Sequence, residues 1–261
     1  MHHTSYVKAK STEDAVGHVA TGGQLLAGGM TLLPTMKQRL ASPESLVDLA
    51  DCGLAGIEDT GDAIKIGAMT RHVDVANSPV VQSAIPGLAA LAGGIGDRQV
   101  RNRGTIGGSV ANNDPSACYP SAVLGLGATV HTNKRDIGAD DFFTGMFETA
   151  LDEGEMITAI SFPKPDKAAY VKFPNPASRY AMVGVFVASG GQGTRVAVTG
   201  AGSDGVFRHA AMESALDGSF GADALDGIRT DADDMISDIH ASGEYRAHLV
   251  GEIAKRAVSA C

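Results

Sequence analysis

Thr105-Ile106-Gly107-Gly108-Ser109-Val110-Ala111-Asn112-Asn113-Asp114-Pro115 is the stretch on which the reading of this chain turns. The basic Gln99-Val100-Arg101-Asn102-Arg103-Gly104 leads into it. Adjacent glycines let a backbone pass where a Cβ would collide with a ligand. Successive free N–H groups in such a turn form a nest for an anion. An earlier stretch, Ala27-Gly28-Gly29-Met30-Thr31, has the same chemistry. It follows Gln24-Leu25-Leu26 and precedes the helix-like Leu32-Leu33-Pro34-Thr35-Met36-Lys37. A single Gly-Gly pair reads as an ordinary loop. The two together, in this order, read as a pyrophosphate held between glycine turns.

Around the first turn the pattern is βαβαβ. Residues 6–9, 25–27 and 46–49 read as strands. Ser11 caps a helix that stops at Gly22-Gly23. Thr31 is expected to cap the next helix, with Pro34 tolerated in its first turn. Around the second turn, residues 56–58 and 63–67 flank Asp59-Thr60-Gly61-Asp62, a hairpin signal. Thr70 is expected to cap a short helix, and further helices start at Pro79, Pro86 and near Pro120. Strands follow at 129–132 and 156–162. Pro163-Lys164-Pro165 is the clearest boundary in the chain. It divides a domain at 1–163, with lobes of about 1–55 and 56–163, from a C-terminal domain at 166–261. The latter is expected to pack three strands (169–173, 182–189, 194–199) on helices at 209–216, 231–239 and 242–257. The fold class is therefore α+β. In the last helix, Leu249, Ile253 and Ala257 mark a buried stripe.

Composition narrows the function. The 261 residues are 44% hydrophobic, enough to bury a core, and carry a formal net charge of −9. No Lys/Arg run exceeds an isolated pair, which argues against nucleic acid. No apolar run approaches the roughly 20 residues of a membrane span. Glycine reaches 33 residues while aromatics stay at 5%. Cys52, Cys118 and Cys261 are scattered, so this chain offers no iron–sulfur ligand set of its own. Their odd number and the lack of a signal peptide point to a reducing cytoplasm. No Ser-His-Asp set, paired acid or metal set emerges. Asp140-Asp141 and Asp233-Asp234 read as solvated turns or helix starts.

At these residues the chain resembles the medium, FAD-binding subunits of the molybdenum hydroxylases, the family of aerobic carbon monoxide dehydrogenase and the flavin part of xanthine dehydrogenase. Four further stretches carry the resemblance. They are Ile66-Gly67-Ala68-Met69-Thr70-Arg71-His72, Phe147-Glu148-Thr149-Ala150-Leu151 with Glu155-Met156-Ile157-Thr158, residues 175–184, and residues 237–248. The resemblance implies a two-lobed PCMH-type FAD-binding domain followed by a C-terminal domain of three antiparallel strands on helices. It implies no catalytic residue and no metal ligand here, because the flavin is the reagent.

Residue by residue, the resemblance lays Ala27, Gly28, Gly29, Met30 and Thr31 along the FAD pyrophosphate. It does the same for Thr105, Ile106, Gly107, Gly108 and Ser109. The hydroxyls of Thr31, Thr105 and Ser109 either donate to phosphate or cap a helix or turn. Asp114 matches an acidic position, compatible with an Asx-turn before Pro115. The Ile157 backbone matches a contact to FAD, Lys172 a basic position near the flavin, and Tyr180 an aromatic beside the isoalloxazine or simply a core residue. Arg101 and Arg103 read as loop braces. Met30 stands where relatives often have His or Asn, and Cys118 where they often have Asp. Partners are implied too: a small chain with two [2Fe–2S] clusters and a large molybdopterin chain, as a dimer of heterotrimers. Electrons would leave to NAD⁺, a quinone or another acceptor. The substrate could be carbon monoxide, a purine, an aldehyde or an N-heterocycle. The alternative is a scaffold of the same fold without redox activity. A Rossmann dehydrogenase is excluded: Lys8-Ala9-Lys10-Ser11-Thr12 lacks the Gly-x-Gly-x-x-Gly turn. Replacing Gly107 or Gly29 by Val is expected to cost FAD and leave the fold intact.

Overall fold

A computed structural model describes residues 1–261. The first lobe is a parallel sheet in which Ser45–Asp48 lies between Ser5–Lys8 and Gly23–Leu26. The helices Thr12–Val19 and Leu32–Lys37 make the crossovers. Ser11 Oγ accepts from the Asp14 N–H at 3.2 Å, and Glu13 and Asp14 sit at the positive end of that helix. Its Ala15 packs on Ala9, Val47 and Leu49, joined by Met156 from the second lobe. Thr31 departs from expectation. It occupies the N-cap position of its helix in helical conformation and makes no side-chain cap bond.

The second lobe is a five-stranded antiparallel sheet. Its order is Ile57–Asp59, Ala63–Gly67, Ile157–Pro163, Thr129–Thr132, Asp136–Gly138. The first hairpin closes as its sequence demands: Gly61 has φ 96°, and its N–H donates to Asp59 Oδ1 at 2.9 Å. Short helices between residues 72 and 125 cover one face. Thr70 is not a helix cap. Its hydroxyl bonds both the N–H and the carbonyl of Gly56, at 3.0 Å each, and Arg71 takes the cap position.

The C-terminal sheet has four strands where three were expected: Lys167–Pro174, Ala181–Gly190, Gly193–Thr199 and Phe207–Arg208. The added edge strand pairs only Phe207 and Arg208, too short for any period to show. The long strand Ala181–Gly190 is buried on both faces. Val183, Val185 and Val187 face the helices Ala210–Gly218 and Gly243–Ser259, while Phe186 and Ala188 close the core of the second lobe. Ser242 caps the last helix, whose Leu249, Ile253 and Ala257 are buried. The expected helix at 231–239 does not form. Asp231 and Asp238 accept from backbone N–H groups two or three residues on, which competes with helix, and the Ile236 N–H donates to Ala201 O. Asp140 and Asp141 form a helix start, one of the two readings made of them, in the first turn of Ala139–Phe142; the Asp140 carboxylate also receives Arg195 and Arg208 of the C-terminal sheet. No helix is long and apolar enough to cross a membrane.

Candidate functional site

One cavity of about 580 Å³ lies where the two lobes and the tip of the C-terminal hairpin meet. It is lined by Ala27, Gly28, Gly29, Met30 and Thr31, by Thr105, Gly107, Gly108 and Ser109, and by Asp114, Ile157, Lys172 and Tyr180. Of the residues expected to touch the cofactor, Ile106 alone does not line the cavity; its side chain is fully buried in the core.

The first turn leaves the strand Gly23–Leu26 and enters the helix Leu32–Lys37, with Gly29 at φ 73°. The N–H groups of Gly28, Gly29, Met30, Thr31 and Leu32 donate to no protein acceptor. The second turn differs. Ile106 N–H donates to Thr70 O at 3.0 Å, Gly107 N–H to Ala68 O at 2.9 Å, and Ser109 N–H to Thr105 O at 3.1 Å. Gly108 N–H donates to Thr105 Oγ1 at 3.3 Å. What a Cβ would strike is also protein. At Gly107 it would lie 2.5 Å from Ala68 Cβ, and at Gly28 it would meet the Arg103 carbonyl and Gly104 Cα. The glycines therefore let the two turns press on each other and on the Ala68 strand end. The free N–H row, at the start of a helix, fits a phosphate group.

Glu155 holds the third wall. Its carboxylate accepts from Arg135 Nε and Nη2, from Thr132 Oγ1 at 2.6 Å and from the Asp152 N–H. The Arg135 guanidinium, ahead of the other groups, draws its pKa down to about 2. That anchor fixes Met156 and Ile157 at the cavity. Asp114 Oδ1 accepts from the Ser116 N–H at 2.8 Å, the expected Asx-turn, and burial raises its pKa.

The C-terminal hairpin supplies the lid side. Lys172 Nζ donates to Gly94 O at 2.7 Å and Arg179 O at 3.1 Å, and lies 3.6 Å from Cys118 Sγ. Arg101 Nη1 donates to Ile95 O and Gly96 O, a loop brace as expected. Thus the carbonyls of Gly94, Ile95 and Gly96 are each gripped by a cation, and Arg179 pairs with Asp97 at 3.5 Å. Ile95 and Gly96 line the cavity and were not singled out in the sequence. The glycine spacing around Ile95 was the available signal. His72 was missed too. It is 4% exposed, lies beneath Gly104 and beside the Tyr119 ring at 5.3 Å, and burial pushes its pKa down to about 4. No group of three His, Cys, Asp or Glu side chains comes together to hold a metal.

A sequence profile described as the FAD binding domain in molybdopterin dehydrogenase matches residues 2–165. The nicotine 6-hydroxylase medium subunit of Paenarthrobacter nicotinovorans is 35% identical over 97% of this chain and 95% of its own length. The chain belongs to the FAD-binding subunits of the molybdenum hydroxylases. The carbon monoxide dehydrogenase medium chain of Hydrogenophaga pseudoflava is 33% identical over 98% of this chain and 96% of its own. The solved carbon monoxide dehydrogenase from that organism, lacking the Mo-pyranopterin moiety of its cofactor, superposes with a TM-score of 0.87 at 32% identity. The match covers 99% of this chain and 97% of that one. Like these medium subunits, this flavin-binding subunit is part of an oxidoreductase.

Proposed function

We propose that this subunit is the electron-transfer flavoprotein of a molybdenum hydroxylase complex. Its electrons would come from [2Fe–2S] clusters on a small partner chain and ultimately from substrate at a molybdopterin centre on a large one, in a dimer of heterotrimers. FAD, when bound, accepts electrons singly and passes them on in pairs, which suits a junction of this kind. The observation that carries the reading is the row of acceptor-free N–H groups from Gly28 to Leu32 on the cavity wall. These would hold the pyrophosphate, with Ala27 and the Thr31 hydroxyl beside them. Thr105, Gly107, Gly108 and Ser109 would form the facing wall, and Ile106 would anchor that wall from the core. Asp114, the Ile157 backbone, Lys172 and Tyr180 would bound the rest of the cofactor. Met30 and Cys118 offer less polar contact than the residues expected there. In this reading the chain divides near Pro163-Lys164-Pro165, with 1–163 holding the cofactor and 166–261 covering it.

Nicotine and carbon monoxide share little chemistry, yet the medium chains named for them are 35% and 33% identical to this one. Substrate choice therefore belongs to another subunit. A cytoplasmic site of action accords with the scattered cysteines. The test is the visible spectrum and extractable flavin of the purified chain. One FAD per chain is expected. A colourless chain that takes up no added FAD would leave only the scaffold reading.

A further inference from the structure

Cys118 is the one cysteine on the wall of the flavin cavity, and it is 5% exposed. It stands at the head of the helix Tyr119–Gly125 and makes no side-chain cap bond there. Tyr170 and Lys172 lie two apart on the strand Lys167–Pro174, so their side chains leave one face of it. Both meet Cys118. Lys172 Nζ lies 3.6 Å from its Sγ and donates also to Gly94 O and Arg179 O. The Tyr170 hydroxyl stands beside the same thiol, closed to solvent and without a hydrogen-bond partner. Gly184 makes room for it: any Cβ there would strike the Tyr170 oxygen. Burial first, and Cys118 after it, keep that phenol protonated, so it is a donor with nothing to accept from it. A buried donor of this kind costs stability.

The thiol is a poor answer to that donor. Sulfur is a weak acceptor, and an oxygen attached to it is a better one. Such an oxygen would meet two donors at once, one of them charged. A cavity wall and an adjacent cation are also the surroundings in which thiols oxidise. The other two cysteines lack them. Burial pushes the Cys52 thiol up, and the nearby Asp14, Asp48 and Asp51 push it further; burial pushes the Cys261 thiol up to about 11. No second cysteine lines the cavity, so an oxidised Cys118 has no disulfide partner there.

We infer that Cys118 is a site of reversible oxidation to a sulfenic acid, whose new oxygen accepts from Lys172 Nζ and the Tyr170 hydroxyl. The oxidant is hydrogen peroxide. Its O–O bond breaks as one oxygen joins Sγ, the sulfur gives up two electrons, and the departing hydroxide takes the thiol proton and leaves as water. Two equivalents of an external thiol reverse the step, giving a disulfide, water and the free Cys118 thiol. Reduced flavins yield peroxide with dioxygen, so the oxidant arises in the same cavity. That source of peroxide rests on the flavoprotein reading; the oxidation site rests on Cys118, Lys172 and Tyr170 alone.

The experiment titrates the FAD-replete complex with hydrogen peroxide and denatures it in dimedone, which labels sulfenic acids. Peptide mass mapping then reads each cysteine. Cys118 is expected to take the label at lower peroxide than Cys52 or Cys261, and to lose it when dithiothreitol precedes the dimedone. Tyr170→Phe removes the unpaired donor, so the reduced protein is expected to melt no lower than wild type. Its label yield is expected to fall roughly tenfold as oxidation runs on to the sulfinic acid. Lys172→Met is expected to slow labelling of Cys118 roughly tenfold. An unlabelled Cys118 while Cys52 or Cys261 oxidises, or an unchanged yield and rate in either variant, overturns the assignment. FAD missing from the purified wild type overturns the flavoprotein reading instead, and the same mapping on that chain still decides the fate of Cys118.

Discussion

At the first glycine turn the N–H groups from Gly28 to Leu32 have no protein acceptor; at the second, those from Ile106 to Ser109 are all bonded inside the protein. Both turns hold a Gly-Gly pair followed within two residues by a hydroxyl residue, and both line one cavity. The difference lies in what precedes each pair. The first follows a strand end and opens a surface helix, so its donors point outward. The second is pinned by an antiparallel bridge between Arg71 and Thr105 and by the Ala68 carbonyl, so its donors are consumed by folding. One turn presents donors; the other is a packing joint. The same two letters in sequence therefore predict opposite mutational behaviour.

The largest expected effect is at the joint. Gly107→Val would drive a branched side chain into Ala68, where even a Cβ lies 2.8 Å from the carbonyl oxygen and 2.9 Å from Cα. Backbone cannot yield as a flexible side chain does. Overpacking of this kind costs about 1–3 kcal/mol and more where backbone must move. Expected is an unstable or insoluble chain, which moves this variant's effect from binding to folding. A melting curve of the FAD-free chain checks it. A wild-type melting temperature with FAD lost would restore the simple cradle picture.

Acid should loosen the joint next. His72 lies under Gly104, and its pKa in the folded chain is about 4 against 6.5 when solvated. The unfolded chain takes up the proton first. Its contribution to stability therefore falls as pH drops from about 6.5 to about 4 and levels off below. At ~1.4 kcal/mol per unit, the loss is on the order of 3 kcal/mol. His72→Leu should flatten that part of the stability–pH curve. No titratable side chain lines the first turn between Ala27 and Leu32, so acid acts on one turn and spares the other. A slope unchanged in His72→Leu would detach this histidine from the joint.

Gly28→Ala tests the contact between the turns. The new methyl meets the Arg103 carbonyl and Gly104 Cα, so the turns must separate. A strain of about 1–3 kcal/mol placed there should weaken FAD affinity roughly 5- to 150-fold, by equilibrium dialysis, while the core melts nearly as before. Equal losses of affinity and stability would mean that the first turn is a folding joint too.

Much of this was legible in the residues because it is local. The Asp59-Gly61 hairpin, the Ser11 cap and the stripe Leu249, Ile253, Ala257 obey rules confined to a few positions. The cavity-lining residues were legible through motif order, which also swept in Ile106, a residue whose burial is decided by a distant sheet. Properties set across the chain were not legible. Nothing near Gly94 announces that Lys172, far along the chain, will bond its carbonyl. Nothing near His72 shows that Gly104 will rest on it. The missing helix at 231–239 fell to competition between aspartate side chains and the helical backbone: the acidic residues from Asp231 to Asp234 read as a helix start, and the local hydrogen bonds of Asp231 and Asp238 hold the backbone otherwise.

The smallest effect distinguishes the turns most cleanly, through their threonines. Thr105 is 4% exposed and its Oγ1 accepts from the Gly108 N–H at the head of the helix Ile106–Asn112. Thr105→Ala removes that cap and should cost about 1 kcal/mol in urea unfolding of the FAD-free chain. Thr31 stands at the head of its own helix, exposed, with no side-chain cap bond. Thr31→Ala should leave the same unfolding curve within about 0.5 kcal/mol. Added FAD then separates the roles further. A hydroxyl that donates to phosphate is lost in Thr31→Ala without any structural repair, so its FAD dissociation constant should rise about tenfold while its apo stability stays put. In Thr105→Ala any rise should scale with the loss of stability, because the hydroxyl's acceptor role lies inside the fold. If Thr31→Ala destabilises the apo chain as much as Thr105→Ala, the first turn is built like the second and the contrast between them disappears.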